Sequence, residues 1–144
     1  MLRLIIYIIT IAGLMLASGC GENAPGTVNA SPGQRFELKA GQKGLISGEE
    51  LGIRFLEVVH DSRCPKDVVC IWAGEVTVTV EITYRESLHQ KTLVKSGAAE
   101  EYVSTDFQEY EIQFDVQPYP ESGKTIRQED YFLKLIVNKA NSLP

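Results

Sequence analysis

Apolar and polar residues alternate along several short stretches of the chain, and this alternation is the main guide to its fold. Arg35–Ala40 places its apolar residues on one face and its charged residues on the other. The same alternation recurs over Tyr110–Val116 and Tyr131–Val137. Residues two apart share one face of a β-strand, so each stretch predicts a strand with one buried face.

The longest alternating stretch, Cys70–Tyr84, predicts a central strand. One face would carry Cys70, Trp72, Val76, Val78, Val80, Ile82 and Tyr84. The opposite face is mostly threonine and glutamate, which is typical of a strand with one solvated side. This prediction places Trp72 in the core. Gly74 marks a bend or bulge, which would shift the parity of the residues before it.

Shorter segments extend the pattern. Strands are expected at Gly44–Ser47 and at Gln90–Lys95, the second at a sheet edge, and Ser47–Gly52 has the composition of a hairpin connection. Ile53–His60 carries apolar residues on both faces. It is therefore either buried on both sides or bulged near Leu56.

The remaining segment, Ser96–Asp106, predicts a loop with one helical turn around Ala98–Tyr102. With about seven short strands and turn residues between them, the chain is expected to be all-β. The expected architecture is a single antiparallel β-sandwich or a small barrel-like domain. A mixed fold with one helix near residue 100 is the alternative.

The amino-terminal 19 residues have the composition of a signal peptide. Arg3 gives a basic start, and Leu4–Leu16 is an uncharged, mostly apolar run. This run is shorter than the roughly 20 residues that a membrane-spanning helix needs. Residues 1–19 are thus predicted to be a leader.

Ala17–Cys20 resembles the lipobox of bacterial lipoproteins, with Ala17 standing where those proteins usually have leucine. The resemblance implies cleavage after Gly19, diacylation of the Cys20 thiol and acylation of the new amino terminus by chains such as palmitate. Two or three acyl chains form a stable membrane anchor. An ordinary secretory signal and an uncleaved anchor are the alternatives.

Residues 20–33 are predicted to be the lipidated cysteine and a flexible tether, because Gly21–Gly33 is small, polar and interrupted by two prolines. Residues 34–144 would then be the β-sandwich domain. Without Arg3, the mature chain has 13 lysines and arginines against 19 acidic residues, a formal charge of −6. This acidic balance argues against nucleic acid as a partner and favours attachment to the membrane through lipid alone.

Cys64 and Cys70 are the two cysteines left once Cys20 is lipidated, and an oxidising compartment favours a disulfide between them. A metal site built from His60, Asp61 and the two cysteines is the alternative, although the cysteine spacing differs from that of common zinc motifs. The two-residue spacing of redox-active cysteine pairs is absent.

The loop around these cysteines is a possible binding loop formed by Asp61, Arg63, Pro65 and Lys66. If Cys64 is tied inward, Arg63 should point outward in an extended chain. It would then either pair with a nearby carboxylate such as Asp61 or meet a ligand. We expect the first case, in which Asp61 holds the loop; the alternative is a loop that occupies trypsin-like proteases as small inhibitors do.

No familiar catalytic motif occurs in the sequence: there is no Gly-x-Ser-x-Gly elbow, no phosphate-binding glycine loop and no His-Glu-x-x-His. We therefore expect neither catalytic residues nor a metal or cofactor. The expected role is binding or scaffolding in the cell envelope, with an envelope protein or a small ligand as partner. A hydrolytic or metal-dependent enzyme with a site near His60, Asp61 and Arg63 is the competing interpretation.

Two motifs carry a resemblance to a known group of proteins: Asp61-Ser-Arg-Cys-Pro65 and Cys70-Ile-Trp-Ala-Gly74. The chain resembles small, uncharacterised bacterial envelope lipoproteins that share this pair of motifs. The likeness continues into Phe36–Leu38, Tyr110–Pro120 and Tyr131–Val137. It implies an extracytoplasmic, lipid-anchored β domain, and it implies no activity.

Overall fold

The computed structural model describes residues 26–99 and 101–140. The predicted leader and Cys20 lie outside these residues. The described part forms nine strands and one turn of 3-10 helix, Gln128–Asp130. The strands are β1 (Thr27–Ala30), β2 (Arg35–Lys39), β3 (Lys43–Ile46), β4 (Leu51–Asp61), β5 (Glu75–Tyr84), β6 (Ser87–Ser96), β7 (Val103–Phe107), β8 (Tyr110–Gln117) and β9 (Phe132–Lys139).

The strands form two sheets that pack face to face. The first sheet has the order β1-β3-β4-β5-β6, and the second has the order β2-β9-β8-β7. Neighbouring strands are antiparallel except for β1 and β3, which are parallel. The predicted all-β, antiparallel sandwich is therefore confirmed, and the sheets do not close into a barrel.

The core lies between the two sheets and is formed by the inward faces of the alternating stretches. Phe55 and Ile53 of β4 and Phe114 of β8 are among its largest fully buried side chains. Burying each such side chain contributes roughly 1.5–3 kcal/mol. The strands predicted at Arg35, Gly44, Gln90, Tyr110 and Tyr131 all exist, and β6 is an edge strand as expected.

Of the two alternatives for Ile53–His60, the bulge near Leu56 is present. The pairing of β4 with β5 shifts register between Phe55 and Glu57, and again between Val58 and His60. An extra residue in one strand reverses which side chains face inward. The first shift explains why Phe55 and Val58, three positions apart, are both buried.

Three predictions about the elements of the fold are wrong. β1 lies inside the expected tether, where it pairs with β3 and buries Ala30. The helical turn expected at Ala98–Tyr102 is absent from the described residues there, and β7 begins at Val103. The central strand begins at Glu75 rather than at Cys70, because Gly74 adopts a left-handed conformation, with φ +68°, that interrupts an extended chain.

A buried ion pair joins the two sheets at one end. The Lys95 side chain from β6 donates to Asp115 Oδ1 from β8 at 2.5 Å and to the Glu101 carbonyl at 2.8 Å. Gln117 Nε2 donates to the other oxygen of Asp115 at 2.8 Å. Both charged side chains are almost fully buried, so the polar groups of each must be satisfied inside the protein.

This pair predicts a strongly nonadditive mutant cycle. Asp115→Leu leaves a buried lysine without its carboxylate, and we expect it to lower the free energy of unfolding by about 3–5 kcal/mol. Adding Lys95→Met should recover part of that loss, because the unpaired charge is removed. Denaturant titrations of the single and double variants measure this. Additive losses would show that the two side chains act independently.

Candidate functional site: the disulfide loop and its buried arginine

The connection between β4 and β5, residues 62–74, forms a closed loop at the same end as the buried ion pair. Ser62 donates its amide to the Glu75 carbonyl at 2.8 Å, and Cys64 donates to the Ala73 carbonyl at 2.9 Å. At Gly74, a Cβ atom would come within 1.8 Å of the Ser62 carbonyl oxygen. The two sides of the loop thus approach so closely at its base that only glycine fits.

A disulfide closes the loop a second time. The sulfur atoms of Cys64 and Cys70 are 2.17 Å apart, and the Cα atoms are 5.9 Å apart, so the predicted pairing is confirmed. The alternative metal site is wrong, because oxidised cysteines supply no thiolate ligands. Across residues 26–99 and 101–140, no three histidine, cysteine or acidic residues gather in a metal-binding group.

Arg63 is buried, and its predicted outward orientation is wrong. Its guanidinium forms a bidentate pair with Asp61, with Nε 2.9 Å from Oδ1 and Nη2 2.7 Å from Oδ2. Nη1 donates to the Val116 carbonyl at 2.7 Å, and Nη2 also donates to the Pro118 carbonyl at 3.0 Å. The ring of Tyr119 lies against the guanidinium, with Cζ 4.6 Å from the ring centre.

Asp61 is the acceptor at the centre of this arrangement. It also accepts the Arg63 amide at 3.2 Å and the Tyr131 hydroxyl at 3.0 Å. We call Asp61, Arg63, Tyr119 and Tyr131 the arginine clamp. The expected pairing of Arg63 with Asp61 is confirmed, although it lies in the interior rather than on the surface.

The clamp also tests the other hypotheses that the sequence suggested for this loop: a protease inhibitor, an enzyme site and a binding loop. The side chain of Arg63 is completely buried, so it is not presented to a protease in the manner of an inhibitor. Asp61 and Arg63 are committed to each other and are closed to a substrate, while His60 is exposed in β4. The binding-loop hypothesis is therefore wrong for Asp61 and Arg63.

The side of the loop that carries the other two predicted binding residues docks on the chain after β8. Lys66 donates its amide to the Pro120 carbonyl at 3.0 Å, and its ammonium group pairs with Glu121 at 2.5 Å. Asp67 accepts the Ser122 amide at 2.8 Å. Pro65 is half-buried beside them. This side of the loop is thus held by polar contacts.

The opposite side is apolar and exposed, and sequence reasoning missed it. Trp72 was expected in the core, but 81% of its surface is exposed, and Val69 and Ile71 are almost fully exposed. The reason is the turn at Gly74, which separates these residues from β5 and its alternation. We call Val68–Trp72 the apolar loop. Its signal in the sequence is five consecutive apolar residues without a polar one between them.

Two clefts of the described residues lie away from the apolar loop. One, of about 450 Å³, is lined by Lys43, Glu49, Glu50 and Glu86 at the far end of the sandwich. Another, of about 310 Å³, lies beside Tyr119, Ile126 and Asp130. The apolar loop instead projects from the surface, which suits an extended partner better than an enclosed small ligand.

The chain matches no family model, no curated protein and no solved structure. In the described ranges, no helix is both long and apolar enough to cross a membrane. The likeness to envelope lipoproteins remains a prediction, and function is argued from the geometry of the loop.

The clamp predicts large and coupled losses of stability. Asp61→Ala and Arg63→Ala each leave a buried charge without its partner, and we expect each to cost about 3–5 kcal/mol of unfolding free energy. The double variant should lose much less than the sum. Arg127→Ala is the matched control, since Arg127 pairs with Asp130 on the surface, and exposed ion pairs contribute little to stability. Denaturant titration measures all four. A melting temperature unchanged by Arg63→Ala would contradict the clamp.

The clamp also predicts a dependence of stability on alkaline pH. Burial and the nearby Asp61 carboxylate raise the pKa of Tyr131 to about 12, whereas an unfolded tyrosine has a pKa of about 10. Between pH 10 and pH 12 the unfolded chain loses the Tyr131 proton, whereas the folded chain keeps it. The contribution of protonated Tyr131 to the unfolding free energy is therefore complete below pH 10 and is lost as pH rises toward 12. Above pH 10, unfolding free energy should fall more steeply for the native chain than for Tyr131→Phe. Denaturant titrations over this pH range test it, and equal slopes would contradict it.

Proposed function

We propose that this chain is a noncatalytic binding module of the bacterial cell envelope, anchored by lipid at Cys20, whose binding surface is the apolar loop. The leader and its lipobox-like end support the anchor. The disulfide supports an extracytoplasmic location, because such bonds form and persist in oxidising compartments. In this proposal the sandwich is the scaffold, and the apolar loop binds the partner.

The observation that carries the binding role is the exposure of Val69, Ile71 and Trp72 next to one another. Single exposed apolar residues are common on protein surfaces, but a contiguous exposed patch marks an interaction site. In these exposed positions the three side chains add no hydrophobic free energy to the stability of the fold. A partner that covered them would gain the hydrophobic free energy of their burial, about 25 cal/mol for each Å² removed from water.

The loop is also built to keep its shape. The disulfide, the arginine clamp and the contact of Lys66 with Pro120 hold its backbone on three sides. A surface that is already ordered loses less conformational entropy when it binds. This favours binding over a role as a passive connection between β4 and β5.

The same contacts favour a noncatalytic role. The charged groups at the base of the loop are engaged with each other: Asp61 with Arg63, and Lys66 with Glu121. A general acid or base must reach a substrate proton, and the buried pair cannot do so without opening the clamp. The exposed side chains of Val69, Ile71 and Trp72 in the apolar loop carry no nucleophile or titratable group.

A photo-cross-linker placed in the loop tests this proposal in the native envelope. Trp72→benzoylphenylalanine in the full chain should yield covalent adducts with an envelope component on irradiation. Leu88→benzoylphenylalanine is the control, because Leu88 is also exposed but lies in β6 opposite Thr83, at the other end of the sheet. Absence of adducts at position 72, or equal yields at both positions, would contradict a binding role for the loop.

A further inference from the structure

We propose that the apolar loop inserts into the interfacial layer of the same membrane leaflet that holds the acyl chains of Cys20. This inference rests on the proposed function, because it names the membrane lipid as the partner of the apolar loop. Three observations carry it: the chemistry of the loop, the direction in which the chain enters the sandwich, and the distribution of charge between the two ends.

The chemistry of the apolar loop suits a lipid interface. Its exposed side chains are aliphatic apart from Trp72, and tryptophan is enriched at membrane interfaces because its ring is apolar while its N–H still donates a hydrogen bond. Gly97 packs against the Ala73 carbonyl, so the uncharged residues 97–99 lie beside the loop. A projecting, uncharged tip can enter a lipid surface without burying an ionic group.

Strand register shows that the chain preceding β1 comes from the end of the sandwich that carries the apolar loop. Thr27 of β1 lies opposite Lys43 of β3, which lies opposite Arg54 of β4. β1 runs parallel to β3 and therefore antiparallel to β4, which ends at Asp61 beside the loop. Going backward from Thr27, the chain is thus directed toward the apolar loop.

The chain between the anchor and β1 is long enough to reach the level of the loop. Cys20 precedes Thr27 by seven positions, which span at most roughly 23–25 Å. Arg54, level with Thr27, pairs with Glu81 of β5, and Asp61 pairs with Val76, five positions away along β5. Five strand positions rise roughly 17 Å. An acylated Cys20 can therefore lie at the level of the loop end.

The far end of the sandwich is unsuited to lipid. Glu49 and Glu50 precede β4, and Arg85 and Glu86 form the exposed turn between β5 and β6. Hydrogen bonds from Tyr110 and Lys139 lower the pKa of Glu49, so this carboxylate stays charged. Charged groups are costly to bury in hydrocarbon. At the loop end, the charged groups Lys66, Asp67 and Glu121 lie on the loop's polar flank, where Lys66 pairs with Glu121 and Asp67 accepts the Ser122 amide.

Trp72 is the sole tryptophan of the chain, so its fluorescence tests the insertion directly. The mature lipidated chain is reconstituted into zwitterionic phosphatidylcholine vesicles, with plain or brominated acyl chains, after its intact mass has established acylation at Cys20. We expect Trp72 emission to shift to shorter wavelength in vesicles and to be quenched by brominated lipid. Added salt should leave the quenching unchanged, since the apolar loop carries no charged side chain.

The matched control is the variant Trp72→Phe with Leu88→Trp, which carries the same anchor but a tryptophan at the charged end. Its emission should stay unshifted and unquenched. If acylated chains show no quenching of Trp72, or equal quenching in the control, insertion is overturned while the anchor stands; a protein partner or a second copy then covers the loop. If the native mass carries no acyl groups, both the anchor and this inference are overturned.

Discussion

The loop end of this sandwich depends on one buried guanidinium. Taking an arginine out of water costs several kcal/mol, and the structure offsets that cost with a bidentate carboxylate and two carbonyl oxygens. Those acceptors belong to different parts of the fold: Asp61 ends β4, while Val116 and Pro118 lie in β8 and just after it. Satisfying Arg63 therefore fixes the loop against both sheets.

As a consequence, the two sides of the loop differ: the polar side is held against the fold, and the apolar side is exposed. Its polar side and base are held by the clamp, the disulfide and the glycine turn, and a second buried pair, Lys95 with Asp115, joins the sheets at the same end. Burial against the core would stabilise the valines and the tryptophan of the apolar loop, but they are exposed. Held as it is, the loop presents them to the surroundings, which is the basis of the proposed binding role.

The sequence predicted most of the strands because their burial has a period of two, as in Tyr110–Phe114. The bulge at Leu56 was predictable for the same reason, since apolar residues change face there. Trp72 was misplaced because alternation cannot show that Gly74 ends the strand. The burial of Arg63 was missed because its acceptors, Val116 and Pro118, are more than fifty positions away. β1 was missed because a short polar strand is stabilised by pairing with β3 rather than by its own composition.

The central claim is that the loop is a fixed part of the folded domain. Native-state hydrogen exchange tests it most directly, because the amides of Cys64 and Lys66 donate to Ala73 and Pro120 and can exchange only when those bonds open. The account predicts that both amides exchange as slowly as Val78 in the core of β5. Exchange at the rate of an unstructured chain, with Val78 still protected, would contradict it.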